Sequence, residues 1–233
     1  MHIFYKPGIS GNTIVLDETE SRHCIRVLRL VKGSRVSLVD GDGGYYVAVI
    51  TEAQQRQCRL SIEEKQNDYG KKSYRLHIAI APTKNNERLE WFVEKATEIG
   101  IDEITPLLSL RSERKTVNTD RLEKIMISAM KQSERAYLPR LNKLKPFDQF
   151  INSPHEGLKY IAHCNQGEKT LLKNSDVKNK KVTIMVGPEG DFTDEEVQRA
   201  MNSGFKEISL GSSRLRTETA GIVACHTVML LND

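Results

Sequence analysis

Residues 182–193 read VTIMVGPEGDFT and place a short loop between a strand and a helix. The apolar run up to Val186 predicts a buried strand, and the pattern TDEE from Thr193 predicts a capping box that begins a helix. Two glycines and a proline leave the backbone of the loop open to a ligand beside the helix N-terminus. The loop matches neither the dinucleotide motif G-x-G-x-x-G nor the P-loop, which disfavours NAD and nucleoside triphosphates. A tight turn without a ligand explains the same residues equally well.

A second loop of this kind lies in residues 208–220, which read ISLGSSRLRTETA. It again separates a predicted strand from a predicted helix. In an open parallel sheet, ligands bind beyond the carboxyl ends of the strands, so Arg214, Arg216 and Glu218 are candidates to reach one. The alternative is an exposed loop in which the arginines and the glutamate pair with each other.

The chain beyond residue 76 continues this alternation of strands and helices. Apolar runs predict further strands at 78–82, 104–108 and 160–164. Helical periodicity predicts helices at 89–99, closed by Gly100, at 119–137, from Thr193 onward, and at 217–231. Strands alternating with helices are typical of an α/β fold with a mostly parallel sheet, covered by helices on both faces.

The first 66 residues follow a different pattern. Alternating segments predict short strands at 13–16, 35–39, 45–50 and 59–63, with a hairpin turn at 40–44 and one helix at 18–28. The polar stretch 64–73 contains almost nothing to bury and indicates a domain boundary. We therefore expect a small β-barrel or sheet over residues 1–70 and an α/β domain over 73–233.

Composition excludes several classes of protein. The chain has 233 residues and a formal net charge of +4. No run approaches the ~18 apolar residues of a membrane span, and the N-terminus lacks a signal-peptide pattern, so we expect a cytoplasmic protein with no membrane partner. The four cysteines form no C-x-x-C pair, which argues against a metal site and against a disulfide framework.

Positive charge is concentrated in one segment. Residues 111–145 contain ten basic and four acidic residues. Closely spaced arginines and lysines beside serine and glutamine suit contacts with a phosphate backbone, and the candidates are Arg111, Arg114, Lys131 and Arg135. A solvated charged face is the alternative.

Two further groups of residues are weaker candidates. In the N-terminal unit His23, Arg26 and Arg29 recur at a spacing of three, which predicts one helical face for RNA. Tyr45 and Tyr46 either stack on bases or fill the core of a barrel. The pairs His163-Cys164 and Cys225-His226 have no visible acidic partner, so packing or pocket lining is their expected role.

Several of these segments together resemble one enzyme family. GPEGDF at 187–192 and LGSSRLRTETA at 210–220 resemble the trefoil-knotted (SPOUT) RNA methyltransferases. More narrowly, they are similar to the RsmE family of small-subunit ribosomal RNA uridine N3-methyltransferases. The segments ERLEWFVEKATEIGIDEITPL, RSER, KQSER and HCIRVLRLVKG fit the same family, so the likeness spans nearly the whole chain.

The resemblance implies a PUA-like barrel, a deep trefoil knot in the α/β domain, and S-adenosyl-L-methionine as methyl donor. It also implies a homodimer that acts on 16S ribosomal RNA, within the assembled or assembling 30S subunit. The residues implied to bind the cofactor lie in three loops or strand ends: Ile161, Ala162, His163, Gly187, Pro188, Glu189, Gly190, Ile208, Leu210, Gly211 and Leu215.

The reaction that the resemblance implies leads to hypothetical catalytic roles, and the sequence departs from the family pattern at two places. Arg216 is the first choice to stabilise charge on a uracil oxygen, Glu218 to orient it or accept a proton, and Arg111 or Arg114 to hold phosphates. Asp191 stands where the family usually has glycine, and the order Ser213-Arg214 replaces the usual Arg-Ile. Two other functions stay open: a knotted methyltransferase acting on transfer RNA or a ribose 2′-hydroxyl, and a non-catalytic RNA-binding ribosome-assembly protein.

Overall fold

The computed structural model describes residues 1–233, and the chain divides into two compact units. Unit 1 contains Met1–Lys71 together with Met130–Leu138, and unit 2 contains Lys72–Ala129 and Pro139–Asp233. The sequence assigned residues 130–138 to the second domain, whereas the structure groups them with the first. The reason is packing, because Met130 and Ala136 are buried in one apolar cluster with Val39.

Unit 1 is built around a five-stranded sheet. Its strands are β1 (Ile3–Tyr5), β2 (Thr13–Val15), β3 (Arg35–Val39), β4 (Tyr45–Glu52) and β5 (Arg59–Gln66), in the order β1-β3-β4-β5-β2. Only the β1–β3 pair is parallel. The predicted hairpin forms between β3 and β4, where the Asp40 carboxylate accepts hydrogen bonds from the N–H groups of Asp42 and Gly44, both 2.8 Å.

The helix predicted at 18–28 is shorter than expected. Helix α1 covers Glu18–Arg22, and a π-helical turn follows at His23–Val27, closed by the Leu28 N–H on the His23 carbonyl at 3.0 Å. Arg29 lies beyond the turn in the left-handed region, with φ 54°. The prediction that His23, Arg26 and Arg29 share one helical face is therefore wrong, because the wider turn and the left-handed residue break the spacing of three.

Tyr45 and Tyr46 pack within unit 1. The hydroxyl of Tyr46 donates to Asp40 at 2.9 Å, its ring is buried, and burial raises the pKa of this phenol to about 12. Tyr45 stacks on Tyr69 with ring centroids 4.5 Å apart, and its hydroxyl lies 2.6 Å from that of Ser37. The structure thus favours the core alternative over base stacking.

Unit 2 contains an eight-stranded, fully parallel sheet. Its strands are β6 (Arg75–Ile80), β7 (Glu103–Leu108), β8 (Arg140–Leu141), β9 (Lys145–Pro146), β10 (Leu158–Ala162), β11 (Thr170–Leu171), β12 (Lys181–Val186) and β13 (Lys206–Ser209). They run in the order β11-β13-β10-β12-β6-β7-β8, and β9 pairs with β7. The predicted α/β class is confirmed. The two-residue strands β8, β9 and β11 were not predicted, because two residues are too few to show an alternating pattern.

The remaining helices are α2 (Asn86–Ile99), α3 (Thr119–Gln132), α4 (Phe147–Ile151), α5 (Asp194–Asn202) and α6 (Thr217–Leu230). Gly100 closes α2 in the left-handed conformation, and Thr193 with Glu196 forms the predicted capping box of α5. Helix α3 ends at Gln132 instead of residue 137, and Glu134 beyond it has φ 56°. No helix has the length and hydropathy needed to cross a membrane.

Candidate functional site

A cleft of about 620 Å³ lies at the carboxyl ends of β10, β12 and β13. These three strands are neighbours in the parallel sheet, so their ends meet at one edge. The strands contribute Ala162, Val186 and Ile208 to the lining, and the two sequence loops contribute backbone around them. We call this space the carboxyl-edge cleft.

The loop between β12 and α5 depends on Asp191. This residue has φ 62°, in the left-handed region that favours glycine. Its carboxylate compensates by accepting hydrogen bonds from two backbone N–H groups, those of Cys164 at 2.7 Å and Phe192 at 2.8 Å. The loop therefore keeps a left-handed turn at a position where the resemblance implies glycine.

Glu189 presents an unused acceptor at the cleft. Its Oε1 atom accepts the backbone N–H of Lys84 at 3.0 Å, which ties the loop to the segment after β6. Its Oε2 atom is buried and has no hydrogen-bond partner. Because a buried acceptor without a partner costs about 1–3 kcal/mol, a donor from a bound ligand would stabilise this arrangement.

Residues 210–217 form the opposite wall. Gly211 has φ 145°, and the Ser209 hydroxyl closes the turn by donating to the Gly211 carbonyl at 2.9 Å. Thr217 begins α6 and donates its hydroxyl hydrogen to the Gly187 carbonyl at 3.0 Å. The two loops are therefore joined directly across the cleft.

The arginines and the glutamate of this segment do not pair with each other. Arg214 and Arg216 are exposed and line the cleft, whereas Glu218 is buried in the first turn of α6. The nearest cation to Glu218 is Arg88 of α2, with Nε 3.8 Å from Oε1, and Oε2 has no partner. The alternative of an Arg–Glu paired loop is wrong, and no local sequence pattern indicated Arg88 as the partner of Glu218.

His163 has an acidic partner that the sequence did not reveal. Its Nε2 lies 2.9 Å from Oε1 of Glu207 on β13, and Nδ1 is buried without a partner. Burial lowers the pKa of His163, so the ring is neutral at pH 7. A neutral ring that donates from Nε2 to the carboxylate leaves Nδ1 as an acceptor. The sequence showed no acidic partner for His163 because Glu207 lies 44 positions farther along the chain.

Lys169 is another residue that sequence reasoning missed. It lines the cleft, and its ammonium donates to the carbonyl of His163 at 3.0 Å and also to that of Asn165. Lys169 thereby holds the loop after β10 in place.

Most residues expected to bind a cofactor surround this cleft, with two exceptions. Ile161 is buried in an apolar cluster with Met185 and Phe192, because alternate residues of β10 face opposite sides of the sheet. Gly190 does not line the cleft either, and its carbonyl accepts a hydrogen bond from Arg111 Nη1 at 2.9 Å. The expected residues that do line it are Ala162, His163, Gly187, Pro188, Glu189, Ile208, Leu210, Gly211 and Leu215.

The predicted basic residues do not form one group. Arg114 donates to the Lys84 carbonyl at 2.8 Å and belongs to unit 2 together with Arg111. Lys131 and Arg135 belong to unit 1, where Lys131 pairs with Glu20 at 2.6 Å. The segment 111–145 is thus divided between two units, and part of its charge is engaged within the chain.

Comparisons with known proteins account for both units. A family model described as an RNA methyltransferase domain matches residues 70–229, and an RNA methyltransferase PUA domain matches residues 16–63. Ribosomal RNA small subunit methyltransferase E of Rickettsia conorii is 33% identical over 89% of this chain and 85% of its own length. The chain belongs to the ribosomal RNA small subunit methyltransferase E family.

Solved structures of the methyltransferase E family and its relatives agree with the fold. A probable rRNA-methyltransferase from Porphyromonas gingivalis has a TM-score of 0.92 and 40% identity, covering 100% of this chain and 98% of that one. Ribosomal RNA small subunit methyltransferase E from Neisseria gonorrhoeae, bound to S-adenosyl methionine, has a TM-score of 0.87 and 28% identity, covering 100% and 98%. A putative Legionella pneumophila methyltransferase in complex with the same cofactor has a TM-score of 0.88 and 29% identity, covering 99% and 97%.

Proposed function

We propose that this protein is an S-adenosyl-L-methionine-dependent methyltransferase that modifies N3 of a uridine in small-subunit ribosomal RNA. Membership of the methyltransferase E family supports the reaction class and the substrate class. The observation that carries the proposal is the carboxyl-edge cleft, whose walls are backbone-rich loops joined by the Thr217–Gly187 hydrogen bond.

The residues of the cleft fit such a cofactor. Ala162, Val186 and Ile208 offer apolar surface for an adenine ring, and the glycine-containing loops offer backbone groups for its edges. The unpartnered acceptors His163 Nδ1 and Glu189 Oε2 match the amino and hydroxyl donors of an adenosyl group. When bound, S-adenosylmethionine supplies an electrophilic methyl group on its sulfonium.

We also propose that the two loops belong to a deep trefoil knot, which the family resemblance implies. The parallel order β13-β10-β12-β6 and the hydrogen bond between Thr217 and Gly187 support this topology. Because true knots are rare, neither residue pattern nor periodicity would suggest one without the resemblance.

Arg216 is our candidate for electrostatic stabilisation. It is the N-cap residue of α6, is exposed, and lines the cleft, so its guanidinium can face a uracil oxygen on which negative charge develops. The positive end of the α6 dipole acts in the same sense. The N3 atom lies on the Watson–Crick edge, so the target uridine must be unpaired or flipped out of a helix.

Glu218 is our candidate to orient the catalytic arginine or to accept the N3 proton. Its buried Oε2 has no partner, and Arg88 lies 3.8 Å from Oε1. Arg111 is our candidate to hold phosphates near the site, because it anchors the carbonyl of Gly190 beside the cleft.

RNA contacts beyond the target base are proposed for both units. The PUA match supports unit 1, where His23, Arg26 and Arg29 are exposed. Further candidates are Arg111, Arg114, Lys131 and Arg135. The proposed substrate is RNA in the assembled or assembling 30S subunit, and the proposed form of the enzyme is a homodimer, for which exposed Leu230 of α6 offers apolar surface.

Analysis of modified nucleosides tests this function. RNA from a strain that lacks the gene should lose 3-methyluridine from its small-subunit ribosomal RNA, and the purified protein with S-adenosylmethionine should restore it on subunits from that strain. Unchanged 3-methyluridine in the deletion strain would contradict the proposed base and atom. Failure of the protein to bind S-adenosylmethionine in calorimetry would contradict the enzyme class.

A further inference from the structure

A second cleft, of about 590 Å³, lies at the opposite edge of the parallel sheet of unit 2. It is bounded by the amino-terminal parts of β6, β7 and β12, together with the loops around β8 and β9. We call it the amino-edge cleft. It shares no lining residue with the carboxyl-edge cleft, so the proposed methyl transfer does not explain it.

The rim of the amino-edge cleft is cationic. Five of its side chains are lysine or arginine, and only two are carboxylates. Both carboxylates are already paired, Glu103 with Arg75 at 2.7 Å and Glu156 with Lys181. Arg140, Lys143 and Lys145 therefore line the cleft without a carboxylate in ion-pair distance. Uncompensated positive charge at the mouth of a cavity attracts an anionic ligand.

The interior of this cleft is polar and ordered. The Nδ2 atom of Asn142 donates to Thr105 Oγ1 at 2.7 Å and to Glu103 Oε1 at 2.7 Å. Since Thr105 Oγ1 already accepts from Asn142, its own hydrogen is free to go to His77 Nε2, 2.7 Å away. The chain fixes these groups by mutual hydrogen bonds, which is what a preorganised binding site requires.

The contact with Thr105 also anchors the ring of His77. Burial lowers the pKa of His77 to about 4, so the ring is neutral at pH 7. Its Nε2 is engaged with Thr105, whereas Nδ1 makes no hydrogen bond within the chain. His77 thus offers one ring nitrogen to a ligand, and His155 lies beside it with ring centroids 6.4 Å apart.

Aromatic surface lines one side of the same cleft. The ring of His155 contacts Phe150, with centroids 4.6 Å apart, and its Nε2 is anchored on the Phe150 carbonyl at 2.7 Å. Burial lowers the pKa of His155 as well, so this ring is also neutral at pH 7. A neutral, anchored imidazole is a suitable platform for stacking a nucleobase.

We propose that the amino-edge cleft binds a nucleoside phosphate. Arg140, Lys143 and Lys145 hold its phosphate, and the His77 and His155 rings contact its base. Two kinds of ligand contain this group: a nucleotide within an RNA strand and a free nucleotide. The site is independent of methyl transfer, since it lies at the other edge of the sheet.

The test uses the full chain with ¹⁵N-labelled histidine, so that the ring signals of His77 and His155 report binding at this cleft alone. Uridine 5′-monophosphate, a ten-nucleotide oligouridine and inorganic phosphate are titrated separately. We expect the nucleotide and the oligonucleotide to shift both ring signals in a saturable manner. We expect the affinity for inorganic phosphate to be at least about tenfold lower, since phosphate lacks the base contacts.

The charge-reversed variant Arg140→Glu/Lys143→Glu alters two exposed rim residues, and Lys173→Glu is its matched exposed control outside the cleft. The double variant should weaken nucleotide binding by about tenfold or more, and the control should leave it unchanged. Tighter binding of the oligonucleotide than of the mononucleotide identifies RNA as the source, whereas the reverse order identifies a free nucleotide.

Three results would overturn the assignment. These are ring signals that no probe shifts, a double variant that binds like the wild type, and inorganic phosphate that binds as tightly as the nucleotide. Calorimetry with S-adenosylmethionine on the same variants separates this site from the proposed function. The double variant should bind S-adenosylmethionine as the wild type does. If the wild type itself does not bind S-adenosylmethionine, that result contradicts only the methyltransferase proposal.

Discussion

The hydroxyl of Thr217 donates a 3.0 Å hydrogen bond to the carbonyl of Gly187, joining two loops that lie 30 positions apart in the chain. Both groups are buried, so Thr217→Val leaves the Gly187 carbonyl without a donor in a site of unchanged shape. We expect a loss of about 1–3 kcal/mol in the free energy of unfolding, measured in urea, together with weaker S-adenosylmethionine binding. Thr217→Ser keeps the hydroxyl and should retain both properties, and equal behaviour of the two variants would contradict the role of this bond.

Arg216→Ala should reduce the single-turnover rate of the proposed uridine methylation by about 100-fold or more, because the donor proposed to stabilise the developing charge is lost. Binding of S-adenosylmethionine, measured by calorimetry, should change little. Arg214→Ala is the matched control, since Arg214 also lines the cleft and is exposed. A full methylation rate in Arg216→Ala would show that another group stabilises the charge.

Glu207→Leu removes the acceptor that holds Nε2 of His163. The ring then loses its fixed tautomer, and we expect the affinity for S-adenosylmethionine to fall by about tenfold, the effect of one hydrogen bond. Glu207→Gln keeps an oxygen that accepts from Nε2 and should restore the affinity. If neither variant alters the affinity, Nδ1 of His163 makes no contact with the cofactor.

Asp191 gives a prediction in which glycine is tolerated better than alanine. Asp191→Gly loses the two carboxylate hydrogen bonds, but glycine adopts the backbone conformation at φ 62° without strain. Asp191→Ala loses the same bonds and adds the strain of a Cβ atom in the left-handed region, about 1 kcal/mol. In urea unfolding, the wild type should be the most stable, followed by Asp191→Gly and then Asp191→Ala. A higher free energy of unfolding for Asp191→Ala than for Asp191→Gly would contradict the role of the left-handed backbone.

Acid should destabilise the protein through its buried histidines. Burial lowers the pKa of His77 to about 4, below the ordinary value of 6.5, so protons bind preferentially to the unfolded chain as the pH falls. The stability contributed by the neutral ring is complete above pH 6.5 and declines progressively between pH 6.5 and 4. His77→Gln should flatten this decline in urea unfolding, whereas His226→Gln, at an exposed position of α6, should leave it unchanged. An equally steep decline in His77→Gln would assign the acid sensitivity to other groups.

Sequence patterns predicted the features that depend on neighbouring residues. Five longer strands of unit 2, the capping box at Thr193 and the glycine that closes α2 were all readable, because periodicity and helix caps are local. The helix predicted at 18–28 failed for a local reason too, since no periodic pattern reveals a π-helical turn.

The sequence by itself also predicted that two loops of glycine and small residues each follow a strand, which made both loops candidate ligand sites. Only the tertiary structure decided which side chains complete the site. Glu207 reaches His163 from 44 positions away, Lys84 reaches Glu189 from 105, and Arg88 approaches Glu218 from another helix. Periodicity determines the strands themselves, whereas contacts between distant residues depend on sheet order and packing, which leave no local pattern in the chain.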